Sequence, residues 1–282
     1  MPKDHKRKRG QKQSDKKAHR LSASTADKHE LYQLSVQDAA TEVKFVSRVF
    51  KKLRQRTAES MREDFCGTAL FCAEWVKSGK QIKRTATGVD IDSSVLSWGR
   101  EHNLKPLGDL ATRVRLLQQD VRDPSPERYD VIVAFNFSYW IFDERESIRR
   151  YFETTRRALA RDGILFIDAY GGWEAHEPMQ ESRKIGHGVT YVWDQDRVDP
   201  ITGSIVNHIH FEFKDGTKLE RAFTYEWRFW SLPELCELLK EAGFTDAQVY
   251  WDVADDDDDA EYRPRTRADN QPGWLAYVVA TR

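Results

Sequence analysis

The chain has 282 residues, of which 39% are hydrophobic and 32% are charged, so a sizeable core can form beneath a very polar surface. It contains no apolar run near the roughly 20 residues of a membrane span, and no apolar signal core. Its three cysteines form no CxxC pair, which is typical of a reducing compartment. We therefore expect a cytoplasmic protein with no membrane partner, and the formal net charge of −1 conceals strong local asymmetry.

Two segments carry that asymmetry. Residues 1–20 hold nine Lys/Arg and two Asp with almost nothing apolar, so residues 1–27 are predicted to be a disordered basic tail. Such a tail is either a solvated end, an arm that tethers RNA, or a nuclear signal. The acidic run and basic loop at 254–273 are expected to form a solvated surface loop, because nothing fixes their carboxylates as metal ligands.

Residues 28–282 are predicted to form one α/β domain. A helix over 28–57 is indicated by apolar residues at spacings of three and four, and it is expected to act as a lid. Strands are then expected near 59–65, 84–91, 113–119, 129–135 and 163–169, alternating with helices near 68–79, 93–103 and 143–160. This alternation favours a doubly wound, mostly parallel sheet with right-handed crossovers.

The pattern changes after residue 170. Residues 189–230 alternate with period two, which predicts two or three antiparallel strands within an insertion at 171–230 that caps the substrate site. In this pattern Phe223, Tyr225, Trp227 and Phe229 share one strand face. His208 and His210 share one strand face and are expected to be exposed there, not to hold a metal. A helix capped by Ser231 and Glu234 follows, and two strands near 245–252 and 274–281 close the chain as an antiparallel pair.

Small or polar residues follow four of the predicted parallel strands. Cys66-Gly67-Thr68 opens a helix, and Gly67 lets a ligand approach the backbone. Asp90 stands 23 residues beyond Gly67, where a carboxylate can accept both hydroxyls of a ribose. Asp120 and Asn136 end the next two strands. Because ligands bind at the carboxyl ends of strands in such sheets, these residues predict one nucleoside site.

At these motifs the chain resembles the class I S-adenosylmethionine-dependent methyltransferases over roughly residues 28–282. The segment "EDFCGTA" is similar to the family's first motif, although Phe65 and Ala69 replace two glycines. The resemblance implies a seven-stranded sheet and the cofactor S-adenosylmethionine, with S-adenosylhomocysteine as the product. "FNFSYWIF" and the β insertion are most similar to small-molecule enzymes of the glycine N-methyltransferase type.

The resemblance also implies roles for particular residues. Asp90 is expected at the ribose, Asp120 and Val121 at the adenine, and Glu63 with the backbone of 66–69 at the methionine portion. Arg62 either reaches the methionine carboxylate or pairs with a nearby acid. The expected cofactor-binding residues are Tyr32, Arg62, Glu63, Phe65, Cys66, Gly67, Thr68, Asp90, Ile91, Asp120, Val121 and Asn136.

The methyl acceptor is expected in a chamber beneath the insertion. Asn136, Tyr139 and Tyr170 are the candidate catalytic residues, and Gln37 is expected to help Tyr32 cover the cofactor. Trp140 and Trp173 either contact a cationic substrate or fill the junction between the core and the insertion. Glu174 and His176 are further candidates to take a proton. No metal site is expected.

Three interpretations remain open at this point. A small-molecule methyltransferase acting on an amine or other polar metabolite is favoured. The alternative is an RNA or protein methyltransferase that engages its substrate through the basic tail. The third is a non-catalytic binding protein that kept the fold. A dinucleotide dehydrogenase is disfavoured, since pyrophosphate requires a loop with more glycine. The sequence leaves the oligomeric state open.

Overall fold

The computed structural model of the chain describes residues 21–79, 82–254 and 260–282. Most of the predicted basic tail and most of the acidic run therefore lie outside the described residues. The helices are α1 Lys28–Val36, α2 Ala39–Arg54, α3 Leu70–Lys77, α4 Ser93–Gly99, α5 Arg145–Ala158 and α6 Leu232–Glu241. The strands are β1 Ser60–Asp64, β2 Thr85–Asp90, β3 Val114–Gln118, β4 Tyr129–Ala134, β5 Leu159–Gly171, β6 Met179–Gly186, β7 Val189–Val198, β8 Ser204–Phe213, β9 Lys218–Arg228, β10 Asp246–Asp252, β11 Tyr262–Arg265 and β12 Trp274–Thr281.

The main sheet is doubly wound and mostly parallel, as predicted. Its strand order is β11-β10-β12-β5-β4-β1-β2-β3, and the first five strands of the chain are parallel to one another. Apolar residues of α5 and α6 pack on one face, and those of α2 and α3 pack on the other. The chain reverses strand order between β1 and β4, so the carboxyl ends of these strands form the expected ligand crevice.

The terminal part of this sheet differs from the prediction. The antiparallel pair β10 and β12 is present, but β11 pairs with β10 and makes an eighth, edge strand. Residues 262–265 had been predicted as part of a solvated loop. These residues, "YRPR", are largely exposed. Because they lack alternating apolar residues, the sequence here has no recognisable strand pattern.

The N-terminal segment is two helices, not the single helix predicted over 28–57. Asp27 caps α1, and Asp38 caps α2 by accepting the N–H of Thr41. Gln37 lies between the two helices with an extended backbone. Asp38 explains the break, because an aspartate that caps a new helix competes with continuation of the old one.

The insertion forms a separate four-stranded antiparallel sheet with the order β6-β7-β8-β9. β6 was not predicted, because it is an edge strand whose residues are almost all exposed. One face of this sheet packs on α1, where Leu31 contacts a buried cluster that includes Tyr191, Ile209 and Phe211. This packing places α1 between the insertion and the main sheet, directly above the ligand crevice.

Candidate active site

A cavity of about 350 Å³ opens at the carboxyl ends of the parallel strands. It lies beneath α1 and is closed on one side by β9 of the insertion. Most of the predicted site residues converge on it. Those that line it are Tyr32, Gln37, Glu63, Phe65, Cys66, Gly67, Thr68, Asp90 and Asn136.

The loop after β1 follows an unusual backbone path that brings main-chain groups to the cavity. Phe65, Gly67 and Ala69 all have positive φ angles, of 57°, 49° and 56°. A Cβ added to Gly67 would meet no atom within 4 Å, so the space beside this backbone is open to a ligand. At Gly99, in contrast, a Cβ would approach the Thr68 carbonyl oxygen to 2.4 Å. Gly99 therefore allows α4 to pack against the loop.

Asp90 lies where a ribose-binding carboxylate was predicted. Its carboxylate accepts the backbone N–H of Gly67 at 2.8 Å and that of Asp92 at 3.0 Å. The first bond joins the end of β2 to the loop after β1, so loop and carboxylate are positioned together. A carboxylate has about four acceptor positions, which leaves room for two ligand hydroxyls. The acceptor oxygens of Asp90 at this end of the cavity fit the hydroxyls of a nucleoside.

Arg62 does not reach the cavity. It is 1% exposed, and its Nε donates to Asp64 at 2.5 Å while its Nη2 donates to the Val121 carbonyl at 2.9 Å. Its assignment to the methionine carboxylate is therefore wrong, and the alternative, an ion pair, is observed. Tyr151 Oη donates to the other oxygen of Asp64 at 3.0 Å, which completes a buried network.

Two acids with raised pKa values interact electrostatically here: Glu63 lines the cavity, whereas Glu42 is half-buried and does not line it. Glu63 accepts the N–H of Cys72 at 3.1 Å, and burial raises the pKa of Glu63 to about 8. On α2, burial together with the charges of Asp168 and Glu63 raises the pKa of Glu42 to about 8. Carboxylates that are desolvated in this way stabilise a nearby cation when they ionise. A sulfonium and an ammonium group, both present in S-adenosylmethionine, fit such an environment.

The residues predicted around the adenine follow β2 and β3. The carboxylate of Asp120 is bound by Arg122, Val121 is buried, and Ile91 is 70% exposed. None of the three lines the cavity. The Gln119 N–H donates to the Asp90 carbonyl, which keeps the ends of β2 and β3 together. Contacts of Asp120, Val121 and Ile91 with adenine therefore stay predictions.

The structure of the segment after β4 and of β5 excludes two of the three predicted catalytic residues from the cavity. Asn136 lines the cavity, but Tyr139 is fully buried and donates its hydroxyl to the Asp168 carbonyl at 2.7 Å. Tyr170 lies outside the cavity lining, stacked on Trp140 with ring centroids 4.9 Å apart and bonded to Asn207. Burial raises the pKa of both tyrosines above the ordinary range. Neither presents a hydroxyl to a ligand in the cavity.

The other candidates beneath the insertion separate into packing and surface residues. Trp140 fills the junction between the core and the insertion, while Trp173 is 51% exposed. Glu174 and His176 lie in a short turn outside the cavity lining. His208, predicted to be exposed, is 3% exposed and contacts Asp196, while His210 contacts Asp194. Across the described ranges no cluster of three or more ligating side chains could hold a metal ion.

Sequence analysis missed the aromatic wall of the cavity. Phe223, Tyr225 and Trp227 project from one face of β9 into the lining, and Tyr32 of α1 packs on Phe223 with centroids 4.9 Å apart. Tyr225 and Trp227 stack at 4.4 Å. Their alternation was recognised in the sequence as one strand face. Only the tertiary packing of β9 reveals that this face meets the cofactor loop.

Hydrogen bonds tie the first helix to the loop beneath it. Gln33 Nε2 donates to Thr68 Oγ1 at 2.7 Å, and Trp98 Nε1 donates to Asp27 at 2.7 Å. Gln37 Oε1 is buried and accepts no hydrogen bond from the described residues. The helix thus covers the cavity through a few polar contacts, and no sequence pattern had indicated Gln33, Asp27 or Trp98.

A larger groove of about 930 Å³ lies between α6 and the terminal strands. It is lined by Trp251 and Trp274, and by Arg265 on β11. No predicted site residue faces it, and neither the loop after β1 nor Asp90 borders it. The smaller cavity is therefore the candidate active site, because the chemistry-bearing residues converge there.

Comparison with known proteins agrees with this assignment. Residues 66–165, from the cofactor loop into β5, match the family model described as "Methyltransferase domain". "Putative methyltransferase YqeM" of Bacillus subtilis (strain 168) is 23% identical over 201 residues, which is 70% of this chain and 77% of that protein.

Solved structures share the fold at low identity. The sugar N-methyltransferase KedS8 from Streptoalloteichus has a TM-score of 0.63 at 17% identity, covering 97% of both chains. The amino pentose methyltransferase CalS10 from Micromonospora echinaspora, solved with its cofactor, has a TM-score of 0.65 at 13% identity, covering 90% of this chain and 95% of its own. None of the helices in the described ranges is long and apolar enough to cross a membrane. The family match over residues 66–165, the shared fold and the cavity built around the loop and Asp90 together support a class I S-adenosylmethionine-dependent methyltransferase.

Proposed function

We propose that this enzyme methylates the amino nitrogen of a small molecule bound between the cofactor loop and β9. The aromatic wall of Tyr32, Phe223, Tyr225 and Trp227 is the observation that carries the proposal. Aromatic faces attract an amine that arrives as a cation and pack well on its carbon skeleton. Two of the structures with the same fold are described as acting on amino sugars or on sugar nitrogen, which supports the same class of acceptor.

In this proposal the cofactor lies along the loop after β1. Asp90 accepts the ribose hydroxyls, and Asp120, Val121 and Ile91 border the adenine. Glu63, Thr68 and the backbone of Gly67 receive the methionine portion. Bound S-adenosylmethionine supplies an electrophilic methyl group; the protein aligns the acceptor nitrogen with it and excludes water.

Asn136 is the catalytic residue that we retain. Its side chain borders the cavity beside Ser138, where an amide oxygen can accept an N–H of the acceptor amine and orient its lone pair. The nitrogen must be unprotonated to attack, so turnover should increase with pH until the bound amine is neutral.

The first helix and the insertion form the proposed cover of this site. α1 acts as the lid and residues 171–230 as the substrate cap, because both border the cavity and each contacts the other. We also propose that the enzyme works in the cytoplasm, which its three free cysteines favour. An RNA or protein substrate held by the basic tail is the alternative, and the aromatic wall of the cavity favours the small molecule.

The acceptor class is tested by supplying labelled cofactor with small amines, amino sugars, amino acids and total RNA, using Asp90→Ala as the blank. We expect label in a small amine and at least a tenfold lower kcat/KM for Trp227→Leu. Trp251→Leu, which alters the remote groove, is the matched control and should leave kcat/KM unchanged. Label in RNA alone would contradict the proposal.

A further inference from the structure

The segment that presents Asn136 has a strained backbone. Asn136 and Phe137 follow β4 with φ angles of 56° and 57°, two consecutive residues in the left-handed region. Asn is tolerated there, but a bulky residue such as Phe seldom is. Such a conformation persists only where the surrounding structure fixes it, and it clusters at functional sites.

Asp168 fixes this backbone from the neighbouring strand. Its Oδ2 accepts the N–H of Asn136 at 2.7 Å, and its Oδ1 accepts the N–H of Phe137 at 3.0 Å. The hydroxyl of Tyr139 donates to the Asp168 carbonyl at 2.7 Å. Asp168 lies on β5, one residue beyond the pairing of Ala134 with Ile167, and is 3% exposed. Three hydrogen bonds thus converge on one residue from a four-residue segment.

The surroundings of Asp168 give it no counter-charge. Within the described ranges it forms no ion pair, and the titratable groups that interact with its charge are an acid and four tyrosines. These are Glu42 of α2, Tyr32 of α1, Tyr139, Tyr262 of β11 and Tyr277 of β12. Burial raises the pKa of Asp168 to about 7. An asparagine at this position would avoid burying a charge, but it has only one acceptor oxygen in its side chain. An aspartate has two, one for each of the two backbone N–H groups that need acceptors here.

We propose that Asp168 is a positioning residue for methyl transfer, which holds residues 136 and 137 left-handed so that Asn136 meets the acceptor amine. Asp168 itself does not line the cavity, so it acts through the backbone it binds. The role of Asn136 in this inference rests on the proposed function, whereas the backbone clamp does not.

The clamp is tested without turnover by NMR of protein labelled with ¹⁵N-phenylalanine and ¹⁵N-asparagine. The amide protons of Asn136 and Phe137 should be shifted downfield by the carboxylate and should titrate together near pH 7. In Asp168→Asn that titration should vanish. If Asp168→Asn leaves the chemical shifts of both amide protons unchanged, the clamp is wrong, whatever the acceptor proves to be.

Activity then tests positioning by a double-mutant cycle. Asp168→Asn should lower kcat by up to about 100-fold, because a displacement near 1 Å is costly for an in-line reaction. The Kd for S-adenosylhomocysteine should change less than about threefold. Asn136→Gly, which keeps the left-handed backbone accessible, should lower kcat similarly, and the double variant should be no worse than either single one. Additive losses, or an unchanged kcat in Asp168→Asn, would overturn the proposal.

A second variant covers the case in which Asp168→Asn folds poorly. Phe137→Gly makes the left-handed conformation inexpensive, so the pair Asp168→Asn/Phe137→Gly should recover folding and part of kcat. If the role of Asp168 were purely structural, the pair of substitutions would fold, and the kcat of its folded fraction would equal that of the wild type. That result would also overturn the proposal.

Discussion

The substitution Arg62→Met tests whether Arg62 stabilises the fold or binds the cofactor. Arg62 and Asp64 are each 1% exposed, and Nε of Arg62 lies 2.5 Å from Oδ1 of Asp64. The substitution therefore leaves a buried acid without its counter-charge. Breaking a buried pair in this way costs about 3–5 kcal/mol. In a chain of this size each kcal/mol lowers the unfolding midpoint by about 2 °C, so we expect a loss of about 6–10 °C.

Urea unfolding followed by circular dichroism gives the free energy, and calorimetry at 10 °C gives the affinity of the folded protein for S-adenosylmethionine. We expect Arg62→Met to bind within about threefold of the wild type. Arg150→Met is the control: Arg150 is exposed, and its replacement should change stability by less than about 0.5 kcal/mol.

The pH dependence of the stability of Arg62→Met identifies why the variant is less stable. Burial raises the pKa of Asp64, although Arg62 and Tyr151 oppose the shift. Without Arg62 that pKa rises further, so the lost stability should return as the pH falls and Asp64 becomes protonated. Asp64→Asn added to Arg62→Met should likewise restore part of it. Wild-type stability combined with a large loss of cofactor affinity would refute the structural role of Arg62.

Three further predictions use other parts of the site. Gly99→Ala places a Cβ 2.4 Å from the Thr68 carbonyl oxygen and should weaken cofactor binding by at least tenfold in calorimetry. Gly163→Ala, at a glycine that is also closely packed but does not line the cavity, is the control and should only lower stability. The pKa values of Glu42 and Glu63 are raised from 4.5 to about 8, so between these pH values the native state holds protons that the unfolded chain has released. Urea titrations should therefore show stability falling as the pH rises towards 8, less steeply in Glu42→Gln. A slope unchanged in Glu42→Gln would contradict this. Deleting residues 1–20 should leave kcat/KM for a small amine unchanged at every salt concentration; a salt-dependent loss would favour a polyanionic substrate.

Most of the parallel sheet could be predicted from the sequence because its strands are short apolar runs separated by amphipathic helices. Asp90 and Asn136 were located by one rule, that polar residues ending parallel strands share an edge. Asp168 lies close to the carboxyl end of β5, in "GILFIDAY", so a wider form of this rule that includes polar residues within the last few residues of a strand could have found it. Its importance became visible only with the hydrogen bonds to residues 136 and 137.

What the sequence did not reveal depends on partners that are distant along the chain. Arg62 is charged yet buried, because Asp64 and Tyr151 satisfy it, and a linear pattern cannot distinguish such a residue from a ligand. Tyr139 and Tyr170 stand near the right strand ends but point into packed surroundings. The aromatic face of β9 was recognised as a face, but its opposition to the cofactor loop arises from how the insertion folds back.

The most direct test of the central claim is calorimetry with S-adenosylmethionine, S-adenosylhomocysteine and NAD on the wild type and Asp90→Ala. We expect both adenosyl ligands to bind the wild type, Asp90→Ala to weaken their binding by tenfold or more, and NAD not to bind. Binding of NAD without binding of either adenosyl ligand would contradict the assignment of S-adenosylmethionine as the cofactor.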